Sequence, residues 1–166
     1  MPAGWLPTGA AAYTRMLDAI ASARRSLRLE TYIYRDDATG GLFRSALIAA
    51  AQRGLRVQVL VDGGGSATLA DDYWRGLEEA GGSARIFNPL SLRGFSIRNH
   101  RKLLLVDDEF AIIGGFNIGD EYEGDGITAG WRDLGLQLRQ PRVVRQLAES
   151  FDELFHDHKF QRLLLH

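Results

Sequence analysis

The sequence predicts an α/β fold: a mixed, mostly parallel sheet flanked by helices on both faces. Three observations predict it. Up to Phe87, short β-forming runs alternate with stretches of helical periodicity, the order that gives right-handed crossovers and parallel strands. Beyond Pro89, two apolar runs separated by a tight polar turn read as an antiparallel hairpin, which makes the sheet mixed. Hydrophobic residues at 45% and charged residues at 25% are ordinary globular values and exclude a disordered or fibrous chain.

The elements follow in order. Tyr13, Met16, Leu17 and Ile20 fall at helical spacing and predict a helix over Thr8 to Ala23. Leu27, Leu29, Thr31 and Ile33 alternate with more polar residues and predict a strand over Ser26 to Tyr34. Asp36-Asp37 through Gly40-Gly41 reads as a turn, and Leu42, Phe43, Ala46, Leu47 and Ala50 as a helix closed by Gly54. Leu55 to Val61 is an apolar run of the kind buried in parallel sheets. Gly63-Gly64-Gly65-Ser66 leads into a third helix through Leu69, Tyr73 and Leu77, ending at Gly81-Gly82, and Ala84 to Phe87 is a short strand. Arg101 to Val106 and Phe110 to Ile113 form the hairpin, and Leu134 to Leu138 a further strand. Val143, Val144, Leu147, Phe151, Leu154 and Phe155 make a last amphipathic helix introduced by Pro141.

The 166 residues suit a single domain spanning 1–166, with no internal repeat and no low-complexity linker. Cysteine is absent, which excludes disulfides and thiolate metal sites. Lys+Arg 20 against Asp+Glu 21 leaves a net charge of −1, so anion binding must come from local clustering. No apolar run approaches the roughly 18 residues of a membrane span, and Met1-Pro2-Ala3-Gly4-Trp5 resembles no signal peptide. The expectation is a protein that is cytoplasmic or peripheral to the inner face of a membrane.

The hairpin carries the chemical signal. It reads His100-Arg101-Lys102, then Asp107, then Gly114-Gly115-Phe116-Asn117. Side chains alternate along a strand, so His100 and Lys102 share a face. A two-residue turn at Asp108-Glu109 would pair 107 with 110, Lys102 with Gly115 and His100 with Asn117. Imidazole, ammonium and carboxamide would then meet around open space above Gly115, an arrangement suited to a phosphodiester. Between Ala80 and Val106 five basic residues (Arg85, Arg93, Arg98, Arg101, Lys102) occur with no acid, a focused positive field. Each arginine taken singly also reads as a solvated surface charge.

The spacing His-x-Lys-x4-Asp-x6-Gly-Gly-x-Asn is similar to the HKD motif of the phospholipase D superfamily. Leu29-Glu30-Thr31-Tyr32-Ile33-Tyr34, Leu55 to Asp62, Arg85-Ile86-Phe87-Asn88-Pro89, Gly119-Asp120-Glu121-Tyr122 and Trp131-Arg132-Asp133 resemble bacterial cardiolipin synthases, most closely the N-terminal half of one. The resemblance implies a phospholipase D-like half fold, with His100 as the nucleophile that forms a phosphohistidine. It implies that Lys102 and Asn117 hold the non-bridging phosphate oxygens and that Asp133 is the orienting carboxylate; Gly115, by the open space above it, and Arg98, within the basic run, are the further substrate-binding candidates. Preorganised cations and amides suit the charge on a transferring phosphoryl group.

Asp107 lies several residues from His100 at about 3.3 Å per residue. It therefore reads as structural, as does Gly114. Glu30, in an otherwise apolar strand, either lines the cleft or pairs with an arginine, and the structural reading is preferred. The Gly63-Gly64-Gly65-Ser66 segment could meet an anion but lacks a P-loop lysine. His156 and His158 lie about 200° apart on a helix and cannot share a metal. Asp120, Glu121, Glu123 and Asp125 read as a solvated loop without the twelve-residue calcium pattern. No metal and no cofactor is expected.

Enzymes of this superfamily generally use two HKD motifs, whereas this sequence has one; His158-Lys159 is not a second. The expected partner is therefore a second copy in a homodimer or a second HKD half of a longer chain. The function implied is a phosphatidyl-transferring or phosphodiester-cleaving enzyme acting on a phosphatidylglycerol-like phospholipid. The alternatives are a metal-independent nuclease, for which net charge −1 is a poor match, and a non-catalytic lobe. Trp5, Leu6, Leu92 and Phe95 are candidates for peripheral membrane contact.

Overall fold

A computed structural model describes residues 4–89 and 97–156. The chain runs β1 (Gly4–Leu6), α1 (Gly9–Ser22), β2 (Ser26–Thr31), α2 (Ala38–Gln52), β3 (Arg56–Asp62), α3 (Arg75–Glu79), β4 (Ser83–Phe87), β5 (Leu103–Val106), β6 (Phe110–Gly114), β7 (Gly135–Leu138) and α4 (Pro141–His156). A 3-10 turn over Asp120–Tyr122 precedes β7.

The strands form one sheet in the order β1-β7-β6-β5-β2-β3-β4. It is mixed, as the sequence predicts, but not mostly parallel. Only β2 with β3 and β3 with β4 run parallel; β2 with β5, β5 with β6, β6 with β7 and β7 with β1 are antiparallel. The hairpin joins the parallel part at β2, and each later strand is added antiparallel to it.

Helices cover both faces because successive strand residues alternate between them. Leu27, Leu29, Val57, Val59, Val61, Leu104 and Val106 share a core with α1, α2 and Leu77 of α3. Leu60, Leu103, Leu105 and Ala111 point the other way and pack against Val144, Ala148, Phe151 and Phe155 of α4. Arg28, buried on that second face, holds Asp152 of α4 at 2.9 Å and also meets Asp108 of the hairpin turn.

Three elements differ from expectation. The Asp36–Gly41 segment is not all turn: Asp37 accepts from Gly40 N at 2.8 Å and so caps α2, which begins at Ala38. The third helix shrinks to α3: the chain from Gly63 to Trp74 stays in turns and bends, so Leu69 and Tyr73 lie ahead of the helix and only Leu77 falls within it. β2 stops at Thr31, since Ile33 N turns away to the Asn117 side chain and Tyr34 bridges to Ile118. β1 answers to no sequence prediction; it pairs Trp5 with Leu136 and buries Leu6 in the core while Trp5 stays exposed.

Candidate active site

The hairpin register sets the site. Val106 pairs with Phe110 and Leu103 with Ile113, so the turn holds three residues, Asp107 to Glu109. Glu109 N closes it on Val106 O at 3.0 Å, and Asp107 and Asp108 take φ of 56° and 58°. This register is one residue off the predicted one. Lys102 therefore opposes Gly114, whose N–H donates to Lys102 O at 3.3 Å, rather than Gly115.

His100 and Lys102 still meet in one cleft. A cavity of about 500 Å³ is lined by His100, Arg101, Lys102, Gly114 and the apolar side chains of Trp5, Leu103, Ile113, Leu134, Leu136 and Leu147. The His100 ring stacks on Tyr32, with centroids 3.8 Å apart and planes 20° apart. Lys102 Nζ donates to His100 O at 2.6 Å and lies 5.4 Å from the Tyr32 ring centroid. Burial pushes the Lys102 ammonium below its ordinary value, and the Asp133 carboxylate partly offsets this.

Asn117 is brought near but not into the cleft. Its side chain is 4% exposed and Oδ1 accepts from Ile33 N at 3.0 Å. Its backbone carbonyl accepts from the Tyr13 hydroxyl at 2.6 Å. The expected meeting of three polar groups over open space is thus replaced by two in the cleft and one buried outside its lining. The space above Gly115 is filled as well: a Cβ there would fall 2.0 Å from both Asp133 carboxylate oxygens. Asp133 Oδ1 accepts from its neighbour Leu134 N at 2.7 Å, and among the described residues no hydrogen bond joins it to His100.

The basic cluster is largely committed elsewhere. Arg98, expected at the substrate, donates to Asn88 O at 2.8 Å and faces the buried Asp62 at 3.4 Å. Arg85 donates to Phe155 O, and Arg101 pairs with Glu30 at 3.1 Å. Arg93, Leu92 and Phe95 lie outside the described residues, as do His158 and His166. Lys102 is the ammonium that faces the cleft.

Two other residues find plain roles. Asp107, at the far end of the hairpin, accepts from the backbone N–H groups of Arg24, Arg25 and Ser26 at 2.7–3.2 Å. Burial alone would raise its carboxyl, but these donors together hold it below the ordinary value. Gly114 is needed where β6 meets β7, since a Cβ would lie 2.6 Å from Leu134 O. Tyr32 was not singled out from the sequence. The available signal was its position just past the C-terminal end of a central parallel strand, where α/β sheets place their sites.

A family model described as cardiolipin synthase, PLD-like domain, matches residues 16–155. The major cardiolipin synthase of Bacillus subtilis is 40% identical over 136 residues, 79% of this chain and 28% of that protein. The cardiolipin synthase of Alkalihalophilus pseudofirmus is 36% identical over 156 residues, 91% of this chain and 31% of that protein. The chain thus spans under a third of the length of these relatives. Among solved structures, the phospholipase D family member Nuc from Salmonella typhimurium superposes with a TM-score of 0.68 at 21% identity, covering 92% of this chain and 91% of that one. The phosphatidylserine synthase of Haemophilus influenzae gives 0.75 at 16% identity, covering 93% of this chain and 37% of that one. At those identities the two structures speak for the fold, while the family match and the two synthases speak for descent. The chain belongs to the phospholipase D superfamily, in the group of the cardiolipin synthase PLD-like domain.

Proposed function

We propose that this domain carries half of the machinery of a phosphatidyl-transferring enzyme that works on phospholipids through a phosphohistidine. The observation that carries the reading is the cleft itself. An imidazole and a partly buried ammonium share one cavity with six apolar side chains. A phosphodiester bearing an apolar body suits such walls, whereas a polynucleotide calls for a wide basic surface. Among the described residues of the basic cluster, Arg85, Arg98 and Arg101 each hold a structural partner.

In the reaction, a His100 ring nitrogen attacks phosphorus and forms a P–N bond as the bond to the leaving alkoxide breaks. The alkoxide takes a proton from an acid opposite. An acceptor alcohol or water then gives up a proton, attacks the same phosphorus and releases the imidazole. Lys102 faces the charge that develops on the non-bridging oxygens. Asp133 acts through Lys102, and Asn117 acts by fixing the backbone at Ile33, the residue after the Tyr32 on which His100 stacks. The opposing acid and base is a second histidine from another HKD half, in the same longer chain or in a second copy. The 67% exposed Trp5 and the exposed Leu134 at the cleft make the contact with the lipid surface. No helix of the described residues is long and apolar enough to cross a membrane.

Incubation with phosphatidylglycerol vesicles, and separately with single-stranded DNA, both in EDTA, tests this. Turnover of the lipid that disappears in His100→Ala is expected. Turnover of DNA alone would replace the lipid reading with a nuclease, and activity that survives His100→Ala would reject the nucleophile.

A further inference from the structure

We infer that Glu30 is the positioning residue that sets the His100 imidazole, acting through the two residues that flank it, Asn99 and Arg101. The inference rests on the reading of His100 as nucleophile and extends it to a side chain outside the cleft.

The segment carrying His100 needs such a device. Residues 97–102 lie in no strand, and the hairpin ladder reaches only the last of them, where Gly114 N donates to Lys102 O at 3.3 Å. Two buried carboxylates hold the segment instead. Asp62 Oδ2 accepts from Asn99 N at 2.8 Å. Glu30 Oε1 accepts from Asn99 Nδ2 at 2.5 Å, and Glu30 Oε2 lies 3.1 Å from an Arg101 guanidinium nitrogen, a charge contact without hydrogen-bond alignment. Asn99 Oδ1 closes the circuit by accepting from Arg101 N at 3.2 Å. The second Arg101 nitrogen donates to Ser150 of α4 at 2.8 Å. One carboxylate therefore holds both neighbours of His100, one with each oxygen.

Packing gives no reason for an acid here. Glu30 is 0% exposed, and its cross-strand partners are Leu60 and Leu103. A buried carboxylate is costly unless partnered, and an apolar side chain at such a place is often as stable or more so. What an apolar residue cannot do is hold Asn99 and Arg101 at once. With that backbone fixed, the ring is left to settle on Tyr32, and small misplacements of a reacting group are expensive in rate.

The test uses Glu30→Gln, whose amide puts a donor against one of two donors. Turnover of phosphatidylglycerol is expected to fall about tenfold or more in kcat, with KM changed less than about twofold. The His100 ring resonances, assigned by their loss in His100→Ala, are expected to move while those of His156 stay. Glu30→Gln/Asn99→Asp restores donor-to-acceptor polarity and is expected to return both towards the wild type. A Glu30→Gln protein that melts earlier but keeps the His100 resonances and the kcat of its folded fraction would show a merely structural residue and overturn the inference. So would a folded double variant without rescue. If Glu30→Gln fails to fold, Arg101→Gln removes one arm alone, and unmoved His100 resonances there overturn the inference too. The resonances need no substrate. A chain that turns over no phosphodiester defeats the functional reading and leaves this inference to stand or fall by the ring.

Discussion

The Asp133 carboxylate rests on the Gly115 α-carbon, so close that a methyl group there would fall 2.0 Å from both of its oxygens. The glycine is thus the seat of an acid, and the acid in turn acts on Lys102. Gly115→Ala is expected to unseat Asp133 and lower kcat by about tenfold or more, as misplaced groups at reacting centres do. A melting curve beside the rate measurement separates this from unfolding, and an unchanged rate would deny the seat any importance.

The same carboxylate can be weighed by titration. Burial lowers the folded-state pKa of Lys102 and Asp133 raises it. Removing the negative charge takes away the raising influence alone, so in Asp133→Asn the ammonium should lose its proton at lower pH than in the wild type. Carbon-13 NMR of the lysine side chain against pH reads this directly. A Lys102 midpoint that stays put or rises contradicts the placement.

Asp107 should matter for stability. It accepts from three backbone N–H groups at the entrance to β2, and Asp107→Ala strips all three of their acceptor. A loss of about 2–3 kcal/mol in urea unfolding at neutral pH is expected. Its folded-state pKa lies below the ordinary carboxylate value of 3.8. The stabilisation is therefore full above that value and is lost as pH falls through the lower folded one. Asp107→Asn should accordingly lose less stability than the wild type between pH 7 and pH 2.

Tyr13 ties α1 to the segment that carries Asn117. Its hydroxyl donates to Asn117 O at 2.6 Å and to Gly119 O at 3.1 Å. Burial pushes its own pKa well up, so it remains a donor across the accessible pH range. Tyr13→Phe is expected to cost about 1–2 kcal/mol. It should also speed amide exchange at Ile33, whose N–H depends on the Asn117 side chain.

Much of this was legible from local pattern, and the failures share one cause. Alternation along β2 and from His100 to Lys102, the apolar runs of β3 and β5, and the helical spacing in α1 and α4 are short-range signals, and they gave the layers and the pairing of His100 with Lys102 on one cleft. The turn at Asp107 was misread because two consecutive aspartates in left-handed conformation are uncommon. They are held by donors some 80 residues upstream. β1 was missed for the same reason, since its three residues become a strand only against β7. Arg98 and Arg101 looked like substrate or surface charges until Asp62 and Glu30, distant in sequence, came to lie beneath them.

The second face of the sheet has α4 as its cover, and that sets a practical limit on how the gene can be cut. A truncation before Pro141 would strand Leu60, Leu103, Leu105 and Ala111 in water and leave Arg28 without Asp152. Expression of such a fragment would give insoluble material rather than a smaller working unit, so deletion mapping from the C-terminal side should stop beyond His156.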